Sequence, residues 1–266
     1  MTNAAREAAQ LLWRHRCDGT TIASLPEALR PRHSGEGDAI QSEWPTVSGQ
    51  DVVGWKIAAT SAAGQAHINV SAPLPGRILA RYVHAMGRPV SLAGNRMRVV
   101  EPEYAFRFGE DLAPRVAPRT KEEILAALES LHPAFEVPDS RFSDFTVAGE
   151  AQLLADNACC GEFVFGPAAP DGWREKDLRD AAVQATVQDA RGRQRYTRAG
   201  SGRAALGDPY VALTWLANRL SAMGITLLAG QYVSTGTCMT PLEVEPGDRV
   251  IADYGAFGTI DLQLST

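Results

Sequence analysis

The sequence is short of several features that would each have pointed to a chemistry. Its four cysteines, Cys17, Cys159, Cys160 and Cys238, form no C-x-x-C pair, which removes a zinc knuckle and a dithiol redox centre from consideration. Reduced thiols of this kind suit a cytoplasmic protein. The five histidines, His15, His33, His67, His84 and His132, show no H-E-x-x-H or i,i+4 spacing, and none is assigned a metal. Neither a G-x-G-x-x-G fingerprint nor a Walker loop is present, so a nucleotide-binding fold has no support. No apolar run reaches about eighteen residues, so no transmembrane helix is expected. Arg6, Glu7, Arg14 and Arg16 interrupt the apolar residues near the N-terminus, so no secretory signal is expected either. Long basic runs are missing and the net charge is -5, which gives no electrostatic reason to expect nucleic acid or an anionic membrane as partner. A small-molecule partner is the expectation that remains.

What is there reads as an ordinary globular chain of 266 residues, 45% hydrophobic and 21% charged, long enough to bury a sizeable core. Residues Asn3 to Arg16 carry Ala4, Ala8, Leu11 and Leu12 at helical spacing. From Asp18 to Gln50, Pro, Gly, Ser and charged residues show no sustained period, which predicts a loop-rich stretch with one or two short helical turns. Residues 1–50 are thus expected to form an N-terminal helix and arm, and residues 51–266 the domain that carries any site. The core pattern is of short strands: Val52 to Thr60, Val99 to Phe108, Ala134 to Val137, Phe163 to Gly166, Ala182 to Asp189, Arg195 to Arg198, Tyr232 to Ser234, Arg249 to Tyr254 and Thr259 to Leu264. Two helices interrupt them. Thr120 with Glu123 forms a capping box ahead of Ile124 and Leu128, and Asp208 caps a helix that has Pro209 at its first position and stops near Gly224. Turn residues at Pro246-Gly247-Asp248 and Gly255 to Gly258 predict a final antiparallel hairpin.

Strand alternation in Val99 to Phe106 puts Val100, Pro102, Tyr104 and Phe106 on one face and Glu101 with Glu103 on the other. This is either a solvated acidic face or a pair of carboxylates aimed at one ligand. Pro102 removes a ladder donor, which predicts an edge or a bulge. Glu136 is a lone carboxylate among apolar neighbours in Pro133 to Val137, and a buried carboxylate needs a partner such as Arg141 or a cation. Three oxygen ligands without Cys or His would select a hard ion such as Mg2+ or Mn2+. Lys56 shares a strand face with the small residues Gly54 and Ala58, which leaves room for a ligand beside the ammonium, although a solvated lysine fits the same pattern. Ser234-Thr235-Gly236-Thr237 offers amides and hydroxyls that suit a carboxylate, or an ordinary turn. Cys159-Cys160 read as small buried residues, not as nucleophiles.

In order along the chain, Gly54-Trp55-Lys56, Glu101-Pro102-Glu103, Phe135 to Arg141, Ala155-Asp156-Asn157-Ala158, Ala205 to Pro209, and Ala229-Gly230 with Ser234-Thr235-Gly236 resemble the 2-keto-4-pentenoate hydratase family. The resemblance runs from about Asp51 to the C-terminus. That family is part of the fumarylacetoacetate hydrolase superfamily. The resemblance implies an α+β protein with a mixed β-roll/sandwich core and an N-terminal helical arm, assembled as a homo-oligomer. It implies a magnesium or manganese ion on Glu101, Glu103 and Glu136, Lys56 as the catalytic residue, and Asn157, Thr235 and Gly236 at the substrate, a small 2-oxo acid. The implied activity is hydration of a 2-hydroxypenta-2,4-dienoate in aromatic catabolism. Alternatives are a 4-oxalocrotonate-type decarboxylase, a C-C bond hydrolase of acylpyruvates, and a 2-oxo-acid binding protein without turnover. The chain departs from the hydratase pattern at Pro73-Leu74-Pro75-Gly76, where hydratases typically carry Pro-Asp-aromatic-Gly; the related decarboxylases are similar to this chain in having an apolar residue there.

Overall fold

A computed structural model describes residues 3–266. Three helices come first: α1 (Asn3–Asp18), α2 (Ser34–Ser42) and α3 (Trp44–Ser48). Strand β1 (Val52–Ala58), helix α4 (Ala62–His67) and strands β2 (Leu74–Leu79), β3 (Val83–His84), β4 (Val90–Ser91) and β5 (Val99–Phe108) follow. Next are α5 (Lys121–Ala126), β6 (Leu128–Val137), α6 (Glu150–Ala155), β7 (Glu162–Phe165), β8 (Ala182–Gln188) and β9 (Gln194–Ser201). Helix α7 (Pro209–Ala222) then leads into β10 (Tyr232–Thr237), β11 (Leu242–Glu243), β12 (Arg249–Asp253) and β13 (Thr259–Ser265).

The larger sheet runs β2-β1-β10-β5-β6-β7-β3, with β11 added beside β5. Its two end strands belong to one stretch of chain: β2 pairs with β1, and a few residues later β3 pairs with β7. The sheet therefore rolls up and closes on itself. Its outward residues, among them Trp55, Ile57, Tyr104, Phe106, Phe135 and Val233, are fully buried under the second sheet and α7. That second sheet, β4-β13-β12-β8-β9, contributes Val183, Ala185, Val187, Val250, Ala252, Ile260 and Leu262 to the same core. The result is the α+β roll and sandwich that the resemblance implied, and the final β12–β13 hairpin is antiparallel as the turn residues predict.

Several local expectations are met with a visible mechanism. The Thr120 and Glu123 capping box is formed at both hydrogen bonds, and the Asp208 carboxylate accepts from the Tyr210 N–H at 2.8 Å. Helix α7 ends just before Gly224, which takes a φ of 71°. Pro102 sits in a central strand, and the bulge alternative is the one realised: the β10–β5 register shifts between Ser234 and Thr237, and the partner on that side passes from β10 to β11.

Other elements depart from the sequence reading. β6 starts at Leu128, six positions before the predicted Ala134, because Leu128 opens the strand and does not extend the helix. β2 has no counterpart in the sequence pattern, since Pro73, Pro75 and Gly76 imitate a turn; its pairing with β1 holds it extended. The stretch from Asp18 to Gln50 holds more helix than its composition suggests. Gly37 lets α2 lie against α6 so closely that a Cβ there would stand 2.3 Å from the Ala151 carbonyl oxygen.

The arm helices pack on their own chain. Ala8, Ala9, Leu12, Leu25, Ile40 and Trp44 form one apolar cluster with Leu74, Leu79, Phe142, Leu153 and Leu154. Gln41 and Trp44 also donate from their side chains to the carbonyls of Pro75 and Ala155, at 2.7 and 2.8 Å. Because Leu12 is fully buried there, Leu12→Ala is expected to cost about 2–5 kcal/mol of unfolding free energy within one cooperative transition. Denaturant titration followed by far-UV circular dichroism checks this, and a separate early transition would contradict it.

Candidate active site inside the closed roll

Trp55 and Ile57 turn outward into the core, so strand alternation turns Lys56 into the roll. Its parallel partner is Ser234 on β10, and its antiparallel partner on β2 is Gly76. By the same alternation Glu101 and Glu103 on β5 face inward, and Glu136 on β6 stands directly opposite Glu101. One oxygen from each of the three carboxylates can be chosen so that all lie within 4.8 Å of one another. Glu103 and Glu136 are buried at 1% exposure, while Glu101 is partly exposed and marks the open side. The acidic face of β5 is thus an interior face, and the solvated alternative does not hold.

The partner of Glu136 is Lys56, not Arg141. Lys56 Nζ lies 3.2 Å from Glu136 Oε1, both side chains buried, and the Gly161 N–H donates to the same oxygen at 3.2 Å. Arg141 instead pairs with Asp139. Glu103 Oε2 accepts from the Ser234 hydroxyl at 2.5 Å and from the Gly236 N–H at 3.0 Å.

These donors leave the carboxylates short of positive charge. Burial first, then the charge of Glu136, raises the Glu101 carboxyl to about 7, with Lys56 opposing. Burial and the two neighbouring carboxylates lift Glu103 well above the ordinary range, against the Ser234 hydrogen bond. Burial also raises Glu136, with Lys56 as the main opposing influence. Burial alone would lower Lys56, but the Glu136 carboxylate, with Glu101 adding to it, outweighs burial and holds the ammonium protonated. A set of oxygen donors that burial makes reluctant to ionise, with one lysine among them, fits a hard divalent cation.

The remaining expected residues are near, but their polar groups are already occupied. Asn157 accepts from the Arg77 N–H at 2.7 Å and donates to the Arg77 carbonyl at 2.8 Å. The Thr235 hydroxyl donates to the Tyr104 carbonyl at 2.9 Å. Gly236 gives its N–H to Glu103, with a φ of 97°, and a Cβ there would collide with Thr60 Oγ1 at 2.2 Å. Leu74 shares a face with Gly76, two positions from the lysine pair, and is buried among the arm helices. The sequence reading did not single out Ser234 for Glu103 or the Gly161 amide for Glu136. Ser234 carried a signal, since it lies on the lysine strand's neighbour next to Gly236; a backbone amide carries none.

A strained turn borders the site. Asn157, Ala158 and Cys159 have φ of 56, 54 and 57°, three consecutive left-handed residues without a glycine. Left-handed backbone costs a residue with a Cβ about 1–2 kcal/mol. The surroundings hold it: Asp156 Oδ2 accepts from Ser140 Oγ at 2.7 Å and from the Arg141 N–H at 2.8 Å, and the Cys159 carbonyl accepts from the Asp139 N–H at 3.0 Å. Burial, opposed by these hydrogen bonds, puts the Asp156 carboxyl at about 6. Burial also pushes the Cys159 thiol up to about 12 and the Cys160 thiol well above its usual value, so both are neutral packing groups.

No protein-family profile matches the chain. It is 35% identical over 221 residues to the 2-hydroxyhexa-2,4-dienoate hydratase of Comamonas testosteroni, covering 82% of this chain and 80% of the relative. It is 31% identical over 268 residues to 2-keto-4-pentenoate hydratase 1 of Dechloromonas aromatica (strain RCB), covering 98% of each. Among solved structures, 4-oxalocrotonate decarboxylase from Pseudomonas putida G7, complexed with magnesium and adipate, shares the fold at a TM-score of 0.86, with 23% identity over 99% of this chain and 98% of that one. A protein from Yersinia pestis CO92 described as of the fumarylacetoacetate hydrolase family follows at a TM-score of 0.57, with 16% identity over 79% of this chain and 91% of that one. The roll with its carboxylate cluster therefore has the fumarylacetoacetate hydrolase fold. Within it, the chain belongs to the 2-keto-4-pentenoate hydratase family.

The raised carboxyls predict a pH signature for metal-free protein. A carboxyl with a folded pKa near 7 and an ordinary value of 4.5 binds its proton more tightly when folded, so its contribution to stability is complete below about 4.5 and lost as pH rises towards 7. With chelator present, the melting temperature of the wild type is expected to fall between pH 5 and pH 8 relative to that of Glu103→Gln. Millimolar Mg2+ or Mn2+ restores the wild type and not the variant. Parallel pH slopes with and without metal would contradict this.

Proposed function

We propose that this chain is a metal-dependent hydratase that adds water to a 2-hydroxypenta-2,4-dienoate-type 2-oxo acid, with Glu101, Glu103 and Glu136 holding Mg2+ or Mn2+. The observation that carries the reading is the convergence of three inward carboxylates beside one protonated lysine, in a chain whose relatives are named as hydratases. When bound, the ion supplies Lewis-acid polarisation to a substrate that offers a carboxylate and a neighbouring enol oxygen.

The chain's own groups do the rest. Ser234 and Gly236 aim Glu103, while Gly161 and Lys56 aim Glu136. Lys56, charged and out of bulk water, orients the substrate carboxylate or delivers a proton, and positioned acid–base assistance of this kind is worth about 10²- to 10⁴-fold. Asn157, whose side-chain polar atoms are taken up by backbone, shapes the wall beside Gly76 and Lys56, while the Thr235 hydroxyl is held by the Tyr104 carbonyl. The protein is read as a cytoplasmic enzyme with free thiols, and no helix among the described residues is long and apolar enough to cross a membrane. It is read as a homo-oligomer; sedimentation at micromolar concentration is expected to give a mass above that of one chain, and a monomer would contradict this.

The apolar Leu74 keeps decarboxylation as the second reading, since a carboxylate that would handle water or a proton is missing from that position. The deciding experiment is an ultraviolet assay with 2-hydroxypenta-2,4-dienoate and 4-oxalocrotonate side by side, with and without Mg2+. Metal-dependent loss of the dienoate band is expected, and Glu136→Gln should lower activity and metal affinity together while the fold survives. Turnover of 4-oxalocrotonate alone would move the assignment to the decarboxylase branch. Tight binding without turnover of either would make the chain a 2-oxo-acid binding protein.

A further inference from the structure

The left-handed turn at Asn157 to Cys159 touches three walls of the site at once. Its carbonyl at Asn157 fills the space over Gly76, where a Cβ would come within 2.6 Å of that oxygen and 3.2 Å of Lys56 Cγ. Cys160 Sγ donates to the Arg77 carbonyl at 3.2 Å, and Arg16 Nη1 donates to the Cys160 carbonyl at 3.1 Å. Immediately beyond it, the Gly161 N–H reaches Glu136, and Gly161 itself lies so close to β6 that a Cβ would stand 1.9 Å from the Val137 carbonyl oxygen. The turn thus sets where the Glu136 hydrogen bond falls, and something must hold a left-handed run of this length in register with β2.

The Asn157 side chain does so with both of its polar ends. One amide group accepts from and donates to the backbone of the same residue, Arg77, as a neighbouring strand would. Asparagine also tolerates left-handed backbone better than most residues that carry a Cβ. We propose that Asn157 is a positioning residue which clamps the left-handed turn to β2 and thereby places the Gly161 amide on Glu136 and the wall behind Lys56. It acts without touching substrate. The inference rests on the reading of Glu136 and Lys56 as site residues, but its test does not need turnover.

Two variants separate the clamp from the backbone conformation. Asn157→Gly keeps the left-handed φ easy and removes the clamp; Asn157→Asp keeps the size and turns the donor end into an acceptor facing the Arg77 carbonyl. Amide hydrogen exchange is measured on metal-free protein, and Mg2+ affinity by calorimetry. In both variants the Gly161 amide is expected to exchange about ten-fold faster than in the wild type, the scale of one lost buried hydrogen bond. The β5 amides should keep their wild-type rates and Mg2+ binding should weaken. Wild-type exchange at Gly161 in Asn157→Gly would overturn the proposal, because the left-handed backbone alone would then suffice. So would equal acceleration of every amide, which marks plain destabilisation. If Asn157→Asp does not fold, Asn157→Gly decides alone. If the wild type turns over no dienoate, the functional reading fails while the exchange result still decides this one.

Discussion

The structure depends on one electrostatic imbalance: three carboxylates and a single lysine inside a closed apolar wall. Burying unpaired charge is among the most costly things a fold can do, and ion pairs recover that cost only with good geometry and further hydrogen bonds. Here Lys56 answers Glu136, and Ser234 and Gly236 answer Glu103. Glu101, at the open side, has neither. The site is thus incomplete as an arrangement of protein charges, and a divalent ion of the kind that favours oxygen donors would complete it.

The second sheet and α7 make that imbalance tolerable by stiffening the wall from outside. Each inward residue alternates with an outward aromatic or branched one: Lys56 lies between Trp55 and Ile57, Glu103 precedes Tyr104, and Glu136 sits between Phe135 and Val137, all in contact with the large core. The same strands that hold the charged groups therefore anchor the hydrophobic packing, and a displacement of one is resisted by the other.

Much of this was legible. A period of two is enough to put Glu101 and Glu103 on one face, and a lone glutamate in an apolar strand announces a demand for a partner. The choice of Lys56 over Arg141 as that partner was not legible, because it depends on β1 and β6 facing each other across a closed roll. The closing strand β2 escaped notice because prolines and a glycine imitate a turn where long-range pairing keeps the chain extended. Helix α1 is legible, but α2 reads only as a short helical turn for a related reason: Gly37 weakens helix propensity locally but permits the close approach to α6 that stabilises α2. The left-handed turn has no local signal beyond Asn157, since Ala158 and Cys159 adopt it only under constraint from Asp156, Asp139 and Arg77.

The manner of closure bears on traffic through the molecule. Because the two free edges of the large sheet lie on the single stretch from Leu74 to His84, neither edge can part from its neighbour without pulling on the other. Between those two strands the wall is completed by the chain itself and not by a hydrogen-bonded ladder. On the proposed function a small acid would approach from the side where Glu101 is partly exposed, and the shape of that opening would act as the sieve that decides which acids arrive.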